Sequence, residues 1–282
     1  MICKAATDGT YTLFIEYDDD PINPREDYDN FGSMVCFHRR HSLGDKHHYS
    51  EPAEMLKHLL DHPRFSKPVF DYIKRGRSGE VRIEYDKSER EWQLLSYGDF
   101  SKTWYIEAAY PPGLKSGNEP SFLDAALDVL SPSAMLEILN VSQNIVLLPL
   151  FLYDHGGITM STSNFACTWD SGQVGWIYAD PDRIEKEYGK ITKDTIAKAT
   201  ARLEAEVLCY DLYITGQCYG FRLYDGECEI DSCWGFLGAI DDMAEELRGY
   251  LPSECQHLID ALSDCWENDV AHYFWNRKRD AC

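Results

Sequence analysis

The stretch Gln217-Cys-Tyr-Gly-Phe-Arg-Leu-Tyr-Asp-Gly-Glu-Cys-Glu-Ile-Asp-Ser-Cys-Trp234 decides the fold class. Two runs rich in aromatic and aliphatic residues, 217–224 and 228–234, flank Asp225-Gly226. That dipeptide tolerates the positive φ of a tight hairpin turn, so the stretch predicts two antiparallel strands. Upstream, Thr192 opens a pattern in which Ile196, Leu203, Val207 and Tyr210 recur at helical spacing until Gly216. Asp180-Pro181 caps a shorter helix ending at Gly189. Residues 145–153 predict a buried central strand and 174–178 another. Downstream, 239–250 and 253–275 predict two amphipathic helices broken at Pro252.

Toward the N-terminus, 10–17 alternates like a strand, 18–30 reads as a solvated loop with Pro21 and Pro24, and 33–40 as a strand ending in charge. Ser50 is the expected N-cap before Pro52; Met55, Leu56, Leu59 and Leu60 supply an apolar face, and Pro63 stops the helix. Residues 80–85, 92–97 and 103–109 predict a meander, and 122–130 and 134–139 have helical periodicity. The expected fold class is α+β, a mixed or antiparallel sheet with packed helices. The core is expected from 1–62 and 143–237, with an inserted β-meander/helical subdomain (63–142) and an acidic, helical C-terminal tail (238–282).

The chain has 282 residues, 44% of them hydrophobic, which suffices to bury a core. Its net charge of -21 argues against gripping nucleic acid by phosphate neutralisation and against docking on an anionic membrane. Residues 205–275 hold fifteen acids opposed only by Arg222 and Arg248, and 15–30 hold seven opposed only by Arg25. Those two segments carry 19 of the 21 net negative charges. The N-terminus lacks the basic-then-apolar order of a signal peptide, and the most apolar run is about half of a membrane span. The ten cysteines include no Cys-x-x-Cys pair. A cytoplasmic protein with mostly reduced thiols is expected.

The densest set of ligand-type side chains is Phe37-His-Arg-Arg-His-Ser-Leu-Gly-Asp-Lys-His-His48. His38, His41, Asp45 and His47 are candidate metal ligands; His38, His41, Asp45, Asp154 and His155 are the candidate catalytic set of a metal-dependent hydrolase or nuclease. The spacing matches no established ligand pattern, and Arg39, Arg40 and Lys46 put positive charge where a cation would sit. A polar hinge is therefore preferred, with no metal and no cofactor. Arg39-Arg40 suits an oxyanion clamp, weighed against ion pairs with the acidic 18–29 segment. Tyr153-Asp-His-Gly-Gly157 reads as a glycine turn after a strand. Trp169-Asp-Ser-Gly-Gln-Val-Gly175 and Asp231-Ser-Cys-Trp-Gly-Phe236 each set Trp and Gly around a polar turn, which packs a corner or flanks a ligand pocket. No Gly-x-Ser-x-Gly elbow, phosphate loop or Rossmann glycine run occurs.

These motifs resemble a family of largely uncharacterised proteins encoded by bacteriophages and mobile elements. The resemblance rests on Asn23-Pro24-Arg25 with Asp29-Asn30-Phe31-Gly32, the block from Met34 to Asp45, Leu148 to Thr159, Trp169 to Gly175, Tyr210-Asp211 through Tyr219-Gly220-Phe221, and Asp231 to Phe236. It covers roughly 20–60 and 143–237; 63–142 and 238–282 look like additions. It implies a viral or mobile-element context and supplies no catalytic role. It also groups His38, Arg39, Arg40, Asp45, Asp154, His155, Asp170 and Asp231 as a shared site.

Charge and resemblance together predict a phage-type accessory protein in the host cytoplasm. The leading reading is a non-enzymatic acidic inhibitor with an anti-defence role (anti-CRISPR or antirestriction), mimicking nucleic acid. Its partner is a host protein with a basic, nucleic-acid-binding surface, and it binds neither nucleic acid nor membrane itself. The expected partner-binding carboxylates are Asp241, Asp242, Glu245, Glu246, Asp260, Asp264 and Glu267, with Asp18, Asp19 and Asp20. The hydrolase or nuclease is the alternative. A homo-oligomeric scaffold enclosing its target, paired through apolar faces of the terminal helices, is a third reading.

Overall fold

The computed structural model describes residues 1–77 and 79–265. The chain begins with β1 (Ile2–Thr7) and β2 (Tyr11–Tyr17), then a one-turn helix α1 (Pro24–Asp27) and β3 (Ser33–Cys36). Next come α2 (Pro52–Leu60), a 3-10 turn (Pro63–Phe65), α3 (Ser66–Lys74), β4 (Val81–Asp86), β5 (Glu91–Gly98) and β6 (Thr103–Tyr110). α4 (Pro120–Val129), α5 (Pro132–Val141), β7 (Val146–Asp154), β8 (Ile158–Ser161), β9 (Ser171–Ala179), α6 (Pro181–Tyr188) and α7 (Lys193–Ile214) follow. The described chain closes with β10 (Cys218–Asp225), β11 (Cys228–Leu237), α8 (Ile240–Arg248), a 3-10 turn (Gln256–Ala261) and β12 (Ser263–Asp264). The fold is α+β, with three antiparallel sheets ordered β11-β10-β2-β1-β12, β3-β9-β7-β8 and β4-β5-β6. No helix among the described residues is long and apolar enough to cross a membrane.

The described chain divides into two compact units, one of residues 1–30, 151–173 and 204–265, the other of 31–150 and 174–203. In the first unit the Asp225-Gly226 hairpin forms as the sequence predicts, and β10 also pairs with β2 (Phe221↔Ile15, Leu223↔Leu13). Alternation along β2 sends Leu13 and Ile15 to one face, where they meet Met243 and Leu247 of α8 and Leu258 and Ile259 beyond it. Phe14 packs with Ala5 and Cys265 in a separate cluster. Met243, Leu247, Leu251, Leu258 and Ile259 are thus buried inside this unit, while Tyr250 is exposed. The helix expected over 253–275 does not form in its described part: after the 3-10 turn, Ser263 and Asp264 add to the free edge of β1, opposite Ala5 and Lys4. Residues 266–275 lie outside the described residues.

The acidic 18–30 segment is not a plain solvated loop. Asn23 caps α1 by accepting the Arg25 N–H, and Pro24 occupies the first helical position, where its missing N–H costs nothing. Arg25 is buried and donates to Glu206 Oε2 and to Asn30 Oδ1, both at 2.9 Å. Asn30 in turn donates to Pro24 O at 2.8 Å.

The second unit packs α2, α3, α4 and α5 with the β4-β5-β6 meander around Met55, Leu60, Phe70, Leu94, Phe122 and Leu139. α3 is absent from the sequence expectation, although Val69, Phe70 and Ile73 recur at helical spacing; Pro63 starts a 3-10 turn instead of ending the helical region. Ser50 is not the cap of α2. Glu51 holds that position without a side-chain cap bond, and the N–H and hydroxyl of Ser50, one residue before it, donate to the Glu54 carboxylate. β3 stops at Cys36, short of the strand expected to residue 40, because the following loop folds back onto it. β7 forms where a buried strand is expected, but much of it is only half-buried.

α6 follows the expected cap chemistry: the Asp180 carboxylate accepts the Arg183 N–H at 2.8 Å, and Gly189 ends the helix. Asp180→Ala is expected to cost about 1 kcal/mol, the usual worth of such a cap, read as a shift in the urea midpoint at constant slope.

Candidate functional site

Most of the motif residues have structural tasks. In the first unit, Asp211 on α7 accepts from the Thr159 hydroxyl (2.7 Å) and the Met160 N–H (2.6 Å), fixing β8. Gly220 lies opposite Trp234, and a Cβ there would come within 2.2 Å of the indole, so these motifs pack a corner. In the second unit, Gly44 has φ +69 and its missing Cβ would sit 2.5 Å from Met34 O, a place only glycine fits. That turn brings Asp45 against β3, where Oδ2 accepts the Met34 N–H at 2.8 Å and the Asp45 N–H donates to Met34 O at 2.7 Å. Asp45 is therefore a strand-end cap rather than an uncommitted base or ligand.

The residues grouped as a shared site fall in both units: His38, Arg39, Arg40 and Asp45 in the second, Asp154, His155, Asp170 and Asp231 in the first. Around β3 of the second unit, His38, Arg39, Arg40, His41, Lys46 and His47 line an open pocket of about 470 Å³. His38 and His41 stack at 5.0 Å between ring centres, 9° from parallel. His38 Nδ1 accepts the His41 N–H, which leaves the ring proton on Nε2. His47 donates from Nε2 to Cys36 O at 2.9 Å, and its Nδ1 is buried with no hydrogen-bond partner among the described residues. Arg39 is exposed and makes no ion pair among the described residues, so the expected pairing with the 18–29 segment does not hold for it.

In the first unit, His155 Nδ1 lies 3.4 Å from Asp170 Oδ2, and the Cys167 thiol points at the same oxygen from 3.6 Å. The thiol faces the carboxylate and not the imidazole, which is not the nucleophile–base order of cysteine catalysis. Beside them Trp169 is 94% exposed. Among the described residues no group of three His, Cys, Asp or Glu side chains is placed to hold a metal ion.

Burial pushes the thiols of Cys3 and Cys218 up to about 11, whereas Cys228 is exposed. At about pH 8 only about a thousandth of either thiol is ionised. Among the described cysteines, iodoacetamide is expected to alkylate Cys228 first and to spare Cys3 and Cys218 until the chain is denatured, as peptide mapping would show.

Charge divides sharply between the units. The described part of the first carries 24 Asp and Glu against Lys4, Arg25, Arg222 and Arg248, a net of -20; the second carries 21 against 20, a net of -1. All four of those bases are already paired with acids: Lys4 with Asp241 and Asp264, Arg25 with Glu206, Arg222 with Glu16, and Arg248 with Glu245 and Asp260. Of the expected partner-binding carboxylates, four thus share a cation while staying well exposed. Asp242 and Glu246 of α8, with Asp19 and Asp20, are exposed without an ion pair among the described residues. Asp18 is half-buried and accepts the Asp20 N–H. Glu267 lies outside the described residues. The carboxylates sit on a helix, a 3-10 turn and a strand, not on two helices as expected. β11, at the sheet edge, adds exposed Glu229, with Ile230 and Trp234 beside it. Acids on an edge strand also discourage pairing with other strands.

No protein-family model, no curated protein and no solved structure matches the chain.

Proposed function

We propose that the chain is a phage-type accessory protein whose acidic first unit binds and blocks a basic surface of a host protein, as a nucleic-acid-mimicking anti-defence inhibitor in the host cytoplasm. The observation that carries this reading is the division of charge. Twenty net negative charges on one unit, with every described cation there already paired, form a field that steers a basic partner and repels nucleic acid. The second unit, near neutrality, has no such bias, so the acidity is not a uniform solvation device.

The test is competition. The immobilised chain is exposed to a bacterial host lysate, and bound proteins are challenged with heparin. Release into heparin of proteins that also bind DNA supports the reading. Retention of the bound set in heparin contradicts it, since a polyanion occupies any basic surface the acidic unit would use.

A further inference from the structure

The meander β4-β5-β6 of the second unit ends in a free strand edge at β6. We propose that two copies of the chain associate about a two-fold axis through β6, pairing antiparallel with Tyr105 opposite Tyr105, a surface that the inhibitor reading does not use.

The first observation is that β6, alone among the edge strands of the described residues, lacks a device that blocks pairing. Open N–H and C=O groups along an edge template another strand, and natural sheets guard them with charge, shortness or a cap. β11 has Glu229 and Asp231, β4 has Arg82, Glu84 and Asp86, and β12 is two residues long. Asp211 takes the Met160 N–H of β8, and Asp45 engages both backbone groups of Met34 on β3. β6 reads Thr103-Trp-Tyr-Ile-Glu-Ala-Ala-Tyr110, and five of its eight residues are exposed. No backbone group on its open side has a partner among the described residues. Its one charge, Glu107, accepts from the Ser96 hydroxyl on β5.

The second observation is self-complementarity. Leu94, Ala108 and Tyr110 pack toward the core, so alternation puts Leu95, Tyr97, Trp104 and Ile106 on the opposite face. There Leu95 pairs with Ile106 and Tyr97 with Trp104, and the Arg82 guanidinium lies 3.9 Å over the Trp104 ring. With Tyr105 opposite Tyr105, Trp104 of each copy stands opposite Ile106 of the other, and the apolar face runs on from one sheet to the next. Aromatic pairs and aromatic–β-branched pairs are favoured cross-strand neighbours. The same register sets Glu107 of one copy opposite Thr103 of the other, one residue from Lys102, so opposite charges meet at both ends. Lys102 is well exposed, and its surface contact with Asp99, at 3.9 Å, holds it only weakly. The register shift between Leu94 and Leu95 leaves Glu107 unmatched on β5, so the ladder between copies is short and the interface belongs to the small, transient class.

The test is sedimentation equilibrium of the whole chain from about 10 to about 500 µM. A monomer–dimer equilibrium is expected, stronger at about 300 than at about 50 mM salt, because screening relieves the repulsion between two chains of net charge -21. That sign is the reverse of the salt response expected of the host-partner contact, so the two readings fail separately. Tyr105→Lys and Tyr105→Glu each set like charges opposite one another across the two-fold axis, and each is expected to weaken the dimer at least about tenfold. An equimolar mixture of the two variants is expected to recover it as a heterodimer. Ile106→Lys, at a side chain 59% exposed, leaves the meander folded and is expected to weaken the dimer likewise. A chain that stays monomeric to about 500 µM at both salt concentrations overturns the proposal. So does an Ile106→Lys or Tyr105→Lys variant that dimerises as the parent does, or a mixture of the Tyr105 variants that stays monomeric.

Discussion

Arg25→Ala is expected to destabilise the protein by about 3–5 kcal/mol, the largest single-site loss predicted for the chain. The Arg25 side chain is 2% exposed and that of Glu206 13%, at 2.9 Å. Removing the guanidinium takes away the cation that lies 2.9 Å from a mostly buried carboxylate, and Asn30 loses the donor to its Oδ1. The cost lies in keeping the carboxylate buried after its ion pair with Arg25 is gone, more than in the worth of the pair. Replacing both partners by apolar residues of similar volume, as in Arg25→Met with Glu206→Met, should therefore recover most of the loss. Urea denaturation of the two single variants and the double variant checks this. A double variant as unstable as Arg25→Ala would mean that packing or the Asn30 contact, and not the broken ion pair, sets the cost.

The second large effect concerns partner binding. Replacing Asp19, Asp20, Asp242 and Glu246 by lysine changes the charge of the acidic unit by eight, at exposed side chains whose removal strands no internal cation. Affinity for the captured host partner is expected to fall on the order of a hundredfold, mainly through slower association. Stability should hold or rise, because the unit carries unrelieved like-charge repulsion. Surface plasmon resonance with a thermal melt of the same variant separates these effects. A variant that melts as the parent does and binds equally well would remove these carboxylates from the interface.

What could be read from the sequence follows the range of the interactions involved. The hairpin at Asp225-Gly226, the capped helix α6 and the long helix α7 were legible because turn chemistry and periodicity act over a few residues. β1 and β12 were not. The run Ile2-Cys-Lys-Ala-Ala-Thr7 has little intrinsic strand preference and becomes a strand by pairing with β2, while β12 exists only because the edge of β1 receives it. The role of Arg25 was hidden because Glu206 lies 181 residues away. The His/Arg pocket was visible as a cluster because it comes from one loop, but the tautomer of His38 and the orphaned Nδ1 of His47 depend on backbone groups that only the fold supplies. The charge division was half legible. Two acidic segments could be counted, but the unit that unites them is assembled from three separate pieces of chain.

The measurement that most directly tests the central claim is the affinity of the whole chain for its captured host partner across a series of salt concentrations. If twenty net charges on the acidic unit drive association, the dissociation constant should rise steeply, by about tenfold or more between roughly 50 and 200 mM salt, with the change mostly in the association rate. An affinity that stays flat over that range would contradict the account.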